Sequence, residues 1–314
     1  MQKPTMAWPE RVLTAPPLSF ANKLEGSGRG RYPMRFEDLT QDGRAVLEPL
    51  TTALMGTYWG DAFVAHPMMK PCVEEGVIPV LTRFVIANGD GPFGIVAPVE
   101  CEGLYELAHS QNEDGTVARI HLLMWCKLEA PHARTLPGGT VAGEGRGTVG
   151  QFYAEYTFTR LLAKAGERRV NALPAMAELP SVPTAVHVPH ANTDFSEPSD
   201  GFTALFDAES ALSFTFGLRH TDANRHVNSL QSIRIGEEAA LATLALHGRS
   251  AALLARVVDV EYIRPCFAGE TVQRVVKLYA PAGSAADSDL MESLVSINGT
   301  DGKVRTQLKF RFSV

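Results

Sequence analysis

The sequence lacks the features that define several large classes of protein. Its 314 residues contain no apolar run of about 18 residues, the length that a helix needs to cross a bilayer. The four cysteines show no CxxC pairing and no zinc-site spacing, and there is no glycine-rich phosphate loop or serine-centred elbow. We therefore expect a cytoplasmic protein with reduced thiols that binds no metal and needs no organic cofactor.

Charge and composition narrow the choice of partners. The formal net charge is −6, so bulk electrostatics favour neither nucleic acid nor an anionic membrane as a partner. Hydrophobic residues make up 45% of the sequence, which is enough for a sizeable core. The length suits two domains of about 150 residues each. These bounds predict a globular protein with no nucleic-acid partner and no membrane partner.

The C-terminal half shows strand-like and helix-like patterns in a simple order. A strand is predicted at 211–219, and after a polar loop an amphipathic helix is predicted at 229–247. Four more strands are predicted at 253–263, 271–279, 290–297 and 304–312. One helix followed by a meander of antiparallel strands is typical of an α+β fold in which a sheet wraps around a helix.

The N-terminal half repeats that order. The patterns predict a strand at 34–39, a helix at 46–58, and strands at 77–87, 95–109, 118–128 and 147–160. Alignment of the two halves by eye places Asp42 opposite Asp222 and Val46 opposite His226. The shared order predicts two copies of one fold, of which only the second keeps the polar residues.

Breaks in composition divide the chain into four predicted segments. We expect a loose N-terminal arm at 1–30, a first repeat with a degenerate site at 31–160, a connector at 161–209, and a second, catalytic repeat at 210–314. The connector is rich in proline and polar residues, and its length indicates a crossover between two packed domains.

The loop before the second helix concentrates groups that are suited to chemistry. Asp222, Asn224, His226 and Asn228 occupy seven positions between a strand and a helix, where a scaffold can present side chains to a cleft. His226 could act as a general base, and Asn224 could polarise a carbonyl or hold a water. Asp222 could orient either of them or act as the base. Capping and turn formation are the alternative for Asp222 and Asn228.

Two motifs carry a resemblance to a known family. The sequence Thr-Asp-Ala-Asn-Arg-His-Val-Asn at 221–228, followed by Val-Glu-Tyr-Ile-Arg-Pro-Cys at 260–266, resembles the acyl-ACP thioesterases of plants and bacteria. Those enzymes have a double hotdog fold, in which two tandem hotdog repeats each wrap an antiparallel sheet around a helix. The resemblance covers about residues 34–313, and the loop at 222–228 is its specific part.

The resemblance implies roles for individual residues. It assigns Asp222, Asn224, His226 and Cys266 to the catalytic set of a thioesterase that hydrolyses an acyl-ACP or acyl-CoA thioester. The position of the family's acid is occupied by Pro265 here, and Glu261 is the acidic residue considered as its substitute.

Two residues are predicted to bind the substrate. Asn228 lies at the start of the helix, and Arg264 is one of several cations that could contact the phosphates of CoA or an acidic carrier protein.

Other readings stay open. Asp61 and His66 are five residues apart, which resembles the spacing of hotdog enoyl hydratases, so a dehydratase or hydratase acting on an acyl thioester is one alternative. A non-catalytic acyl-binding protein is another, because the acid of the family is missing. The sequence also allows a homodimer.

Overall fold

The computed structural model describes residues 9–14, 28–52, 68–95, 98–136, 138–160, 163–175, 180–189, 194–206, 209–284 and 288–314. These residues form two compact units. Unit 1 ends at Asn192 and unit 2 comprises the segments Val46–Glu48 and Thr193–Val314. The connector predicted at 161–209 therefore contributes residues to both units.

An antiparallel sheet forms the body of unit 1. Its long strands are β2 (Val77–Asn88), β3 (Val99–Gln111), β4 (Val117–Leu136) and β5 (Gly139–Arg160), and β1 (Gly28–Tyr32) lies at one edge. The order is β1-β3-β4-β5-β2. The short β6 (Ala185–Val186) pairs in parallel with β3. The four long strands are confirmed, but β4 continues eight residues beyond its predicted end and β5 begins eight residues before its predicted start.

The N-terminal part of unit 1 differs from the sequence-based expectation in two places. Residues of the arm at 1–30 form the short helix α1 (Glu10–Leu13), which is held because Val12 and Leu13 are buried and Trp125 Nε1 donates to Val12 O at 3.1 Å. The strand predicted at 34–39 is wrong, because Phe36–Asp38 form a 3-10 helix in which Asp38 accepts from Arg35 N at 2.8 Å.

Among the described residues, two short helices follow the 3-10 helix in the N-terminal half, and the first lies within the helix predicted at 46–58. They are α2 (Leu47–Leu50) and α3 (Met69–Glu74), which packs against β2. The helix predicted at 46–58 begins near α2, and its part after residue 52 lies outside the described residues. Asp61 and His66 lie outside them as well.

One long helix and an antiparallel sheet make up unit 2. The helix is α4 (Ser229–Leu246), and the sheet contains β9 (Leu254–Tyr262), β12 (Val304–Ser313), β11 (Leu290–Gly299) and β10 (Thr271–Pro281) in that order. The shorter β7 (Phe202–Ala204) and β8 (Ser210–Thr215) both pair with β10. The helix and the four-strand meander are confirmed within a few residues of their predicted bounds.

The helix packs closely on the sheet because one face of it is made of small and apolar residues. Ile233, Ala239 and Ala240 are fully buried. A Cβ at Gly236 would lie 3.2 Å from the side chains of Leu308 and Phe310, so glycine allows the close approach of α4 to β12. In the part of the chain described above, no helix is both long and apolar enough to span a membrane.

Candidate active site

The polar loop of unit 2 is a closed turn between β8 and α4. A 3-10 helix at Leu218–His220 follows β8, and an isolated bridge between Thr221 and Val227 closes the turn. Within it Asp222 N donates to His226 O at 3.1 Å, and Arg225 adopts φ 66°. A non-glycine residue in the left-handed region marks a tightly specified turn. The backbone therefore fixes the spacing of the polar side chains.

Asp222 lies at the centre of this loop. Its Oδ1 accepts from Asn224 N at 2.8 Å, which fixes the turn, and its Oδ2 accepts from Asn228 Nδ2 at 3.4 Å. The same Oδ1 is 4.0 Å from Nδ1 of His226. The side chain of Asp222 is 28% exposed and that of His226 is 41% exposed. The structure thus places Asp222 and His226, both predicted from the sequence, close together at a solvent-accessible position.

The orientation of His226 suits proton transfer. Its Nδ1 lies 3.3 Å from Val227 O, so a proton on Nδ1 can be donated to that carbonyl, whereas Oδ1 of Asp222 is 4.0 Å away and acts on the ring only through its charge. In this tautomer Nε2 carries the lone pair that can accept a proton from water. Asn224 is exposed on the same loop, where its main chain is bound to Asp222, and its side-chain amide can donate to a ligand. Together these groups can activate a water and polarise a carbonyl.

Asn228 has a structural task. Its Oδ1 accepts from Leu230 N at 2.9 Å as the N-cap of α4, and its Nδ2 donates to Asp222. Both ends of the amide are therefore engaged, and the substrate-binding role predicted for Asn228 receives no geometric support. The start of α4 still points its first amides toward the loop, where a helix dipole favours negative charge.

Cys266 is held next to the loop by its main chain. Val227 N donates to Cys266 O at 2.7 Å, and the Cys266 residue is buried. Burial, followed by the charge of Glu270, raises the pKa of the Cys266 thiol to about 12. The thiol is therefore protonated at neutral pH, and it is a poor nucleophile. The geometry supports a packing role for this side chain.

Glu261 and Arg264 show no contact that supports the roles predicted for them. Tyr262 OH donates to Ser229 O at 3.0 Å, so the side chain of Tyr262 faces α4. Side chains alternate along a strand, which places the adjacent Glu261 on the opposite face of the sheet. Arg264 Nη1 donates to Val304 O at 3.0 Å. Strand alternation thus argues against Glu261 as the missing acid.

Sequence reasoning missed two acidic residues of unit 2. Glu270 lies close to Cys266 and is paired with Arg305, whose Nε donates to its Oε1 at 2.8 Å. Burial, followed by the charge of Glu48, raises the pKa of the Glu237 carboxyl on α4 to about 7. Neither residue belongs to a recognisable sequence motif, and only the fold identifies them.

The same loop backbone occurs in unit 1 with other side chains. There the bridge joins Leu39 and Ala45, Thr40 N donates to Arg44 O at 2.8 Å, and Gly43 adopts φ 80°. Equivalent residues of the two loops differ by 182 in number. The alignment made by eye is therefore wrong by two residues.

In the corrected register each polar residue of the second loop has a different counterpart. Thr40 is equivalent to Asp222, Asp42 to Asn224, Arg44 to His226 and Val46 to Asn228. The first loop thus has no histidine at the position of His226.

Comparisons with known proteins identify the fold. No family model matches the sequence, and neither does any curated protein. A putative oleoyl thioesterase from Lactobacillus plantarum is similar in structure, with 15% identity and a TM-score of 0.61 over 92% of this chain and 96% of the other. The 12:0-ACP thioesterase from Umbellularia californica matches with 12% identity and a TM-score of 0.52 over 90% and 92%. The predicted double hotdog fold is thereby confirmed.

Proposed function

We propose that this protein hydrolyses acyl thioesters by activating a water at the loop of unit 2. The observation that carries the proposal is the Asp222–His226 pair, exposed at the N-terminus of α4 with Asn224 beside it. In this mechanism His226 Nε2 takes a proton from water, Val227 O accepts from Nδ1, and the charge of Asp222, 4.0 Å from Nδ1, stabilises the imidazolium that forms. Asn224 and the first amides of α4 stabilise the oxyanion that forms on the thioester carbonyl.

The atoms of the reaction balance without a metal or a redox partner. Water adds to the carbonyl carbon, the carbon–sulfur bond breaks, and the products are a carboxylic acid and a free thiol. The proton held by His226 can pass to the leaving thiolate. Cys266 forms no covalent intermediate in this scheme, which agrees with its buried, protonated thiol.

The names of the similar structures and the exposed cations of the loop support the choice of substrate class. The similar structures bear names of thioesterases, and that of Umbellularia californica names a 12:0-ACP substrate. Arg219 and Arg225 are exposed on the same loop, where they can contact the phosphates of CoA or the acidic surface of an acyl carrier protein. We therefore propose acyl-ACP or acyl-CoA as the substrate.

A panel of acyl-CoA and acyl-ACP substrates tests the proposal. Hydrolysis releases a free thiol, which a colorimetric reagent detects, whereas a hydratase or dehydratase changes the ultraviolet absorbance of an enoyl thioester and releases no thiol. We expect thiol release. A change in enoyl absorbance without thiol release would overturn the proposal, as would binding of the acyl thioester without turnover.

A further inference from the structure

A second cluster of ionisable side chains lies in unit 1, in the part of the chain assigned to the degenerate repeat. His121 on β4, Glu155 on β5 and His187 just after β6 each offer one ligand atom, and these atoms all lie within 4.8 Å of one another. Their side chains are 2%, 1% and 15% exposed. Two imidazoles and a carboxylate whose ligand atoms lie this close together inside a fold are a candidate set of metal ligands.

The sheet and the connector hold the three residues in place. His121 is paired in register with Thr157, and Glu155 lies two residues from Thr157, so both side chains project from the same face. His187 N donates to His109 O at 2.8 Å, which continues the pairing of β6 with β3. The ring of His187 packs edge-on against that of His121 with centroids 5.1 Å apart. Main-chain bonds therefore fix all three positions.

The distances are close to those of a metal site. His187 Nε2 is 2.9 Å from Glu155 Oε2, and His121 Nδ1 is 3.8 Å from Glu155 Oε1. Ligand atoms of a tetrahedral zinc site are about 3.3–3.6 Å apart, because each lies about 2.0–2.2 Å from the ion. A carboxylate with two imidazoles is a ligand set that zinc accepts, with a fourth position for a water or a hydroxyl oxygen.

Surrounding groups orient the ligand atoms. His121 Nε2 lies 3.0 Å from Ser110 Oγ, and its Nδ1 lies 3.2 Å from Thr157 Oγ1 and 3.8 Å from Glu155 Oε1. When Nε2 donates to Ser110, Nδ1 carries the lone pair, which can accept from Thr157 or bind an ion. The carboxylate of Glu155 accepts from Tyr153 OH at 3.3 Å and from Thr82 Oγ1 at 3.3 Å. Hydrogen bonds that fix the tautomer of a histidine and the rotamer of a carboxylate are the usual outer partners of metal ligands.

We propose that His121, Glu155 and His187 bind a divalent transition-metal ion of the zinc class. The ion would join the connector at His187 to strands β4 and β5. This site departs from the expectation of no metal that was drawn from the sequence. The ligands are 34 and 32 residues apart, so no local spacing reveals them.

Metal binding by the full-length protein tests this proposal without any use of thioesterase activity. The protein is treated with a chelator, dialysed and titrated with Co²⁺, and Zn²⁺ uptake is measured by elemental analysis. We expect one equivalent of either ion, visible absorption bands of tetrahedral Co²⁺, and a rise in Tm on addition of Zn²⁺, because an ion that binds the folded state stabilises it.

Variants separate this site from adventitious binding. Glu155→Gln and His187→Gln should each lose the Co²⁺ bands and the Zn²⁺-dependent rise in Tm. His109→Gln is the matched control, since it removes a neighbouring buried histidine outside the ligand set and should keep both signals. Because His187 is the most exposed ligand, its variant carries the test if Glu155→Gln fails to fold. No uptake by the wild type, or uptake unchanged in both ligand variants, would overturn the proposal.

Discussion

The two loops that precede α2 and α4 have the same backbone conformation but different side chains. Each has a 3-10 helix, a bridge across six residues and a left-handed residue, which is Gly43 in the first loop and Arg225 in the second. The first carries an Arg44–Asp42 ion pair, whereas the second carries the Asp222–His226 pair. The loop shape is thus a property of the fold, and the chemistry depends on the few residues placed on it.

The largest expected effect comes from removal of the histidine in the second loop. His226→Ala should lower kcat by about 10²–10⁴-fold, because it removes the general base, and should leave Tm nearly unchanged because the side chain is partly exposed. Arg44→Ala is the equivalent change in the first loop and should leave kcat at the wild-type value. Thiol release measured side by side checks both, and equal losses would show that the loops do not differ in this way.

A smaller loss of kcat is expected when the side-chain amide of Asn224 is removed. Asn224→Ala should lower kcat by about 10²–10³-fold, since it removes a donor to the developing oxyanion. Asp42→Ala, the matched change in the first loop, should have no effect on kcat. A rise in KM with normal kcat in Asn224→Ala would indicate that the amide only binds the substrate.

Glu237 is expected to affect stability and leave the chemistry alone. Its carboxyl has a pKa of about 7 in the folded state and about 4.5 when exposed, so the folded state keeps the proton bound at pH values where the unfolded state has lost it. Below about pH 4.5 the carboxyl is protonated in both states and does not reduce the free energy of unfolding. As the pH rises from about 4.5 through 7, that free energy falls by at most about 3 kcal/mol. Glu237→Gln should therefore gain stability over the wild type at pH 8 but little at pH 5. Urea unfolding at both values checks this, and an equal difference at both would contradict it.

The N-cap should give a modest effect. Asn228→Ala should destabilise the protein by about 1 kcal/mol, because Leu230 N loses its acceptor and Asp222 loses a donor. Val46, its counterpart in the first loop, has no polar side chain to lose. Thermal unfolding of Asn228→Ala measures the loss. An unchanged Tm together with a raised KM would restore the substrate-binding role.

Cys266 gives the smallest predicted effect on activity. Cys266→Ala should leave kcat almost unchanged, since the thiol is buried and protonated at neutral pH. Thiol release under saturating substrate is the measurement. A large loss of kcat with an unchanged Tm would place the sulfur in the reaction after all.

Local patterns predicted the regular elements of the chain. The apolar periodicity of α4 and the alternation in β9 to β12 placed these elements within a few residues. The pattern failed at Phe36–Asp38, where an arginine–aspartate contact favours a 3-10 turn, and at β1, whose alternating glycines and arginines give no hydrophobic signal. The spacing of Asp222, Asn224 and His226 also gave the candidate loop directly.

Contacts between distant residues could not be predicted. The orientation of Glu261 depends on which face of β9 meets α4, and the cluster of His121, Glu155 and His187 depends on strand pairing across the sheet. The register between the two loops was wrong by two residues because the alignment paired two identical residues, Asp42 and Asp222, in otherwise dissimilar sequences. Only the bridges and the left-handed residues identify equivalent positions.

A double-mutant cycle tests the central claim that Asp222 and His226 act as one catalytic unit. Asp222→Asn keeps an acceptor for Asn224 N, removes the charge beside the histidine, and exchanges the weak 3.4 Å acceptor of Asn228 Nδ2 for an amide nitrogen. Thiol release is measured for the wild type, Asp222→Asn, His226→Ala and the double variant. If the two residues act together, the double variant should be no slower than His226→Ala alone. Losses that multiply in the double variant, or full activity in all four proteins, would contradict the claim.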